Sequence, residues 1–142
     1  MDYQIHKLKD DLVYICWYQT PKPNSGTDTQ YLADMEALLN EAETPIYFVS
    51  DLRKGRITDI RAIRMLAKLT RHRNWAGSTA FSEDPITGIL VGSFRAFAAD
   101  KRTSNDEIKR VPEEALQFLN ELKPGIVDGI DWDSIIREDQ VD

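Results

Sequence analysis

Residues Pro45 to Arg73 read PIYFVSDLRKGRITDIRAIRMLAKLTRHR, and this stretch decides the fold. Ile46-Tyr47-Phe48-Val49 is a short apolar run that ends at Ser50-Asp51-Leu52. A basic loop, Arg53-Lys54-Gly55-Arg56, follows, and then a helical pattern from Thr58 to about Arg73. In that pattern Ile60, Ile63, Leu66 and Ala67 make an apolar stripe, while Arg61, Arg64, Lys68 and Arg71 fall on another face. A buried strand, a loop and an amphipathic helix are half of a βαβ unit. Such folds meet ligands or partners at the loop beyond the strand's carboxyl end.

Outward from this core the rest of the chain reads as a continuation. Tyr3 to Leu8 and Leu12 to Tyr18 predict two strands joined by a tight turn at Asp10-Asp11. The second is apolar on both faces, with Val13, Ile15 and Trp17 on one and Leu12, Tyr14, Cys16 and Tyr18 on the other, so it is expected to be covered on both sides. After the breaker-rich loop Thr20 to Gly26, Thr27 or Asp28 is expected to cap a helix to about Glu43, with Tyr31, Leu32, Met35, Leu38, Leu39 and Ala42 inward. Trp75 to Phe81 reads as a fourth strand. Asp84-Pro85 starts a nearly all-apolar helix to about Ala99, in which Gly88 and Gly92 predict close packing against a neighbour. Asp100 to Asp106 reads as polar loop and Glu107 to Arg110 as a short edge strand. Pro112 opens a last helix that buries Ala115, Leu116, Phe118, Leu119 and Leu122 and stops at Pro124-Gly125. The expected order is β-β-α-β-α-β-α-(β)-α: an α/β domain over 1–124, one mixed, mainly parallel sheet of four or five strands with packed helices, then an acidic tail over 125–142.

A chain of 142 residues with one cysteine fits a single domain in a reducing compartment. The first ten residues carry Asp2, His6, Lys7, Lys9 and Asp10 and no apolar core, and the low-charge stretch Pro85 to Phe94 is too short to span a bilayer, so a cytoplasmic protein is expected. The formal charge of −6 is unevenly spread. Arg53, Lys54, Arg56, Arg61, Arg64, Lys68, Arg71 and Arg73 face only Asp59, whereas Asp128, Asp131, Asp133, Glu138, Asp139 and Asp142 face only Arg137. An acidic whole argues against general nucleic-acid affinity, which rests on phosphate neutralisation.

No catalytic set assembles from the spacing. Cys16 lies mid-strand with no histidine near in sequence, so it reads as a small core residue rather than a nucleophile. His6 and His72 belong to no ligand pattern, and no metal or cofactor is expected; His72, between Arg71 and Arg73, reads as a solvated helix end. Gly88 to Ser93 lacks the lysine and spacing of a phosphate loop. Asp51, at a strand's carboxyl end, could bind a cation, accept from a partner, or cap backbone N–H groups in the loop. The basic stripe could be a solvated face, could receive the acidic tail in cis or from a second subunit, or could take an acidic partner or a nucleic-acid backbone.

The element order, the Ser50-Asp51-Leu52…Thr58-Asp59-Ile60 pattern and the closing Glu114-Ala115-Leu116-Gln117-Phe118-Leu119 resemble the STAS family. Its type members are anti-sigma factor antagonists, and the likeness extends to bacterial SpoIIAA-like proteins over about Tyr3 to Leu122. The family's Asp-Ser-Ser-Gly, whose serine a partner kinase phosphorylates, matches Asp59-Ile60-Arg61-Ala62 here, so the aspartate is kept and the phosphoacceptor serine and glycine are not. The resemblance implies a STAS-like fold without that switch. Thr58 could take a phosphate beside Arg53, Lys54 and Arg56, or simply serve as an N-cap. The leading expectation is a non-catalytic regulatory module that binds a protein partner or itself, the latter as a homodimer, through Asp51, Arg53, Lys54, Arg56, Thr58, Asp59, Arg61, Arg64 and Lys68. The alternative is a protein that binds a small anionic ligand, nucleotide or lipid-like, in the crevice at the strands' carboxyl ends.

Overall fold

The computed structural model describes residues 1–97 and 105–138. Strands β1 (Tyr3–Lys9), β2 (Leu12–Trp17), β3 (Ile46–Asp51), β4 (Trp75–Phe81) and β5 (Asp106–Lys109) form one sheet in the order of the chain. β1 pairs antiparallel to β2, and every later pair is parallel. The connections are helices α1 (Thr27–Glu41), α2 (Ile60–Leu69) and α3 (Pro85–Phe97), followed by α4 (Pro112–Leu122) and α5 (Trp132–Glu138).

A sheet laid down in chain order by right-handed crossovers places the crossover helices on one face. Val13, Ile15 and Trp17 of β2 and Phe48 of β3 meet Tyr31, Met35 and Leu39 of α1, Ala62 and Ile63 of α2, and Leu90, Val91 and Phe94 of α3. On the other face Leu12, Tyr14, Cys16, Val49 and Phe81 meet Ala115 and Leu119 of α4. The period-2 alternation of β2 therefore supplies both cores, and burial of each large apolar side chain contributes about 1.5–3 kcal/mol.

The segment after Gly125 also belongs to the second face. Ile126, Val127, Ile130, Trp132 and Ile135 pack on that cluster, the Trp132 indole meets the Tyr14 ring edge-on at 6.2 Å, and its Nε1 donates to Val127 O at 2.8 Å. The basic stripe of α2 lies over the opposite face, so through residue 138 the tail does not cover it: its apolar side chains commit it to the far side of the sheet. Residues 139–142 and most of the polar loop expected over 100–106 fall outside the described residues.

Several local expectations change. α2 starts at Ile60, and its N-cap is Asp59, whose Oδ1 accepts from Arg61 N at 2.8 Å; Thr58 is not the cap. The helix ends at Leu69 rather than near Arg73, because Thr70, Arg71 and His72 donate to carbonyls three residues back and tighten the chain into turns. His72, half-exposed just beyond the helix, is also held by neighbours: its Nδ1 accepts from Asn74 N at 3.0 Å and its Nε2 lies 2.8 Å from Asn40 Oδ1. α1 is entered through Gly26 at φ 86°, while Thr27 is helical and its hydroxyl donates to Asp2 Oδ2 at 2.7 Å instead of capping.

Gly88 and Gly92 do not mark a close helix contact. A Cβ built on either meets nothing within 4 Å. α3 rests on α2 and on the first core through Leu90, Val91, Phe94 and Phe97, with its glycines outward and Ile86 and Ile89 exposed at 60% and 69%. Of its thirteen residues only Thr87 is fully buried.

Candidate functional site

The loop after β3 sends its two best-placed arginines to opposite faces of the sheet. Arg53 turns toward the second core. Its Nε donates to Asp51 Oδ1 at 2.9 Å and its Nη2 to Asp51 Oδ2 at 2.6 Å, and the Arg53 backbone N donates to Oδ1 at 3.1 Å. Tyr14 Oη donates to Asp51 Oδ2 at 3.3 Å, the guanidinium lies 5.2 Å from the Phe81 ring centroid, and Nη2 also reaches Ile136 O at 3.4 Å. The hydrogen bonds it donates to Asp51 hold the Arg53 guanidinium above its ordinary pKa. Asp51 is 2% exposed, so this fork saturates a buried carboxylate and ties the loop to the sheet. Cys16 pairs with Asp51 in the β2–β3 register and is buried beneath the same cover.

Arg56 turns the other way. Its Nη1 donates to Asp84 Oδ2 at 2.9 Å and its Nη2 to Leu52 O at 3.2 Å. Its Nε is buried and has no partner. Asp84 uses its other oxygen to cap α3, accepting from Ile86 N at 2.9 Å. The ion pair therefore joins the loop after β3 to the start of α3. Gly55 lets the loop pass there: a Cβ at that position would stand closer than 3.0 Å to the backbone of Gln19 and Thr20.

Beneath α3 and beside Arg56 lies a cavity of about 110 Å³. Its floor is the sheet face of Ile15, Trp17, Phe48, Ser50, Ser78 and Ala80. Its walls are Tyr31 and Met35 of α1, Ile57, Ile63 and Leu66 around α2, and Thr87, Leu90, Val91 and Phe94 of α3. At the end away from Arg56, Asp106 is buried and accepts from Trp75 Nε1 at 3.0 Å and Ser78 Oγ at 2.6 Å. Thr87 is 1% exposed and its hydroxyl has no partner. An apolar chamber with a few placed polar groups at its ends has the make-up of a small-molecule site.

The remaining expected site residues stand apart from this chamber. Arg61 is exposed and held by Asp59, with Nη2 to Oδ2 at 3.1 Å, and that contact depresses the Asp59 carboxyl below its ordinary range. Arg64 lies over the Phe97 ring, 4.9 Å from its centroid. Thr58 and Lys68 are exposed and Lys54 is half-buried. The nine residues thus divide among a buried fork, a cavity mouth and a solvated helix face. The apolar lining and Thr87 were missed at the sequence level; the one usable signal was an apolar helix that begins Pro-Ile-Thr.

Among the described residues no group of three or more His, Cys, Asp or Glu side chains is placed to hold a metal ion. No helix among them is long and apolar enough to cross a membrane. No family model matches the chain, and no curated protein matches it significantly.

Proposed function

We propose that this protein binds a small, largely apolar molecule in the chamber between the sheet and helices α2 and α3, and acts as a binding module rather than by making or breaking bonds. One observation supports this reading above the others. The chamber is walled by apolar side chains, yet three of its lining residues, Arg56, Thr79 and Thr87, each carry a buried polar atom without a partner (Nε, Oγ1 and Oγ1). Leaving such a group unpaired costs about 1–3 kcal/mol, and a bound molecule that supplied the missing acceptor would recover much of it.

Thermal unfolding with a panel of small apolar compounds, neutral and anionic, tests the idea. A compound at a hundredfold its Kd stabilises the fold by about 2.7 kcal/mol and raises Tm accordingly. Trp17 and Trp75 line the chamber or its edge, so their fluorescence should change on the same titration. A panel that leaves both Tm and emission unmoved at millimolar concentration rejects the proposal.

A second reading, an interaction module of STAS-like type, is favoured by the exposure of Arg61, Arg64 and Lys68 on one helix face. It calls for an acidic protein partner. A charge-reversed triple variant, Arg61→Glu, Arg64→Glu, Lys68→Glu, should then lose that partner while still binding the small ligand.

A further inference from the structure

We infer that the outward surface shared by α2 and α3 docks on an anionic lipid surface, with Ile86 and Ile89 entering the acyl boundary and Arg61, Arg64 and Lys68 meeting the headgroup phosphates. The inference does not depend on what fills the chamber.

A surface helix normally turns its charged residues to water. α3 does not. Its exposed residues are Pro85, Ile86, Gly88, Ile89, Gly92 and Ala96, none of them charged, and the two isoleucines are among the most exposed large apolar side chains of the described residues. Spaced three apart, they stand side by side on the helix. α2 packs beside α3 on the same face of the sheet, and there it exposes Ile60 and Met65 among Arg61, Arg64 and Lys68. Arg64 reaches across to the Phe97 ring of α3, 4.9 Å from its centroid. Packed helices lie about 8–10 Å apart, so the cations border the apolar ridge rather than occupying a separate surface. An apolar edge flanked by cations has the make-up of a face that lies in a lipid interface.

Charge and shape select the occupant. A second copy would meet this patch with itself, as a two-fold interface requires. That contact would gather the cations of both copies, and the acid in their row, Asp59, is already engaged by Arg61. A protein partner is usually gripped by large anchors seated in pockets, aromatic ones above all. Here the anchors project, and no aromatic side chain is among the exposed large apolar residues. A fluid lipid layer closes around projecting aliphatic groups whatever their shape. The acids near the ridge are occupied: Asp84 pairs with Arg56, and Glu83 lies 3.8 Å from Arg110. The remaining acids stand farther off, Glu36 and Glu41 on α1 beyond α2, and Glu113, Glu114 and Glu121 on α4 across the sheet. Charges are screened over about 8 Å at physiological salt, so a surface touching α3 meets the neighbouring cations before the formal charge of −6.

The test is co-sedimentation of the full chain with vesicles of phosphatidylcholine alone and of an equimolar mixture of phosphatidylcholine and phosphatidylglycerol, at physiological salt. The protein should partition to the mixed vesicles and stay in solution with phosphatidylcholine alone. An Ile86→Gln, Ile89→Gln double variant should bind the mixed vesicles about tenfold more weakly or worse, with Tm unchanged because both side chains are exposed. An Arg61→Gln, Arg64→Gln, Lys68→Gln variant should also lose about tenfold or more. The isoleucine variant keeps the question decidable if removing Arg64 from the Phe97 ring loosens α3. Absence of binding to the mixed vesicles overturns the inference. Equal binding to both vesicle types removes the role of the cations, and full binding by the isoleucine variant removes that of the ridge; either outcome overturns it as well. Light scattering without lipid supplies the last arm: a dimer mass that the isoleucine variant halves would give this face to a second copy instead.

Discussion

Arg53 and Arg56 are three positions apart in one basic loop, yet one saturates a carboxylate on the far side of the sheet and the other closes a chamber on the near side. Their partners explain why the direction of each side chain was not legible in the sequence. Arg53 is aimed by Asp51, Tyr14 and Phe81, and Arg56 by Asp84, all but one of them remote in the chain. Charge counting could place a basic loop at the strand end but could not tell an inward arginine from an outward one. Gly55 is the residue that lets this loop run against Gln19 and Thr20. Gly55→Ala should destabilise the fold by about 1–3 kcal/mol or more through overpacking against backbone, read as a lower urea midpoint; an unchanged midpoint would mean the loop passes elsewhere. Asp28 gives a pH-dependent test. Burial, then repulsion from Asp59 and Asp2, hold its carboxyl above the ordinary 3.8, and its Oδ1 is buried without a partner. Because the folded pKa is the higher one, the charged form weakens the fold. Stability should therefore fall as pH rises from 3.8 through the folded value, and stay lowered above it. Asp28→Asn should be more stable than the parent at pH 7 and lose that advantage below 3.8; an advantage independent of pH would assign the effect to something other than charge.

At the scale of elements, the strands were the most legible part. The alternation along Leu12–Trp17 gave both faces of β2 correctly, β4 spans the stretch Trp75 to Phe81 read as a strand, and β3 starts with its apolar run at Ile46 and continues two residues past it to Asp51. The Asp84-Pro85 start of α3 was also visible, because capping is a local interaction. The two glycines of α3 were misread for a physical reason: a spacing of four places them on one face but does not say whether that face meets a neighbour or open space. The structure decides for open space, which makes a sharp prediction. Gly88→Ala and Gly92→Ala should each stabilise the protein by about 0.5–1 kcal/mol, since alanine loses less backbone entropy in a helix and has room for its methyl group. A loss of stability in either variant, seen by chemical denaturation, would show that another surface packs there.

For the molecule as a whole, a chain-ordered sheet divides its work between faces. The second face is closed: α4 and the segment Ile126 to Ile135 cover Tyr14, Cys16 and Val49. The first face is covered by three helices, but α3 stands away far enough to leave a chamber under it. That difference could not be read from periodicity, because it depends on how α2 and α3 lean on each other rather than on which residues each turns inward. The central claim is that this chamber receives a ligand. It is tested most directly by methyl NMR of the full chain titrated with the small apolar compound that raises its Tm most. Shifts should concentrate on Ile15, Ile57, Ile63, Leu66, Leu90 and Val91, which line the chamber, and should spare Ile126, Ile130 and Ile135 on the closed face. Shifts that gather on the closed face, or that are absent from the chamber methyls at a saturating concentration of that compound, would contradict the account.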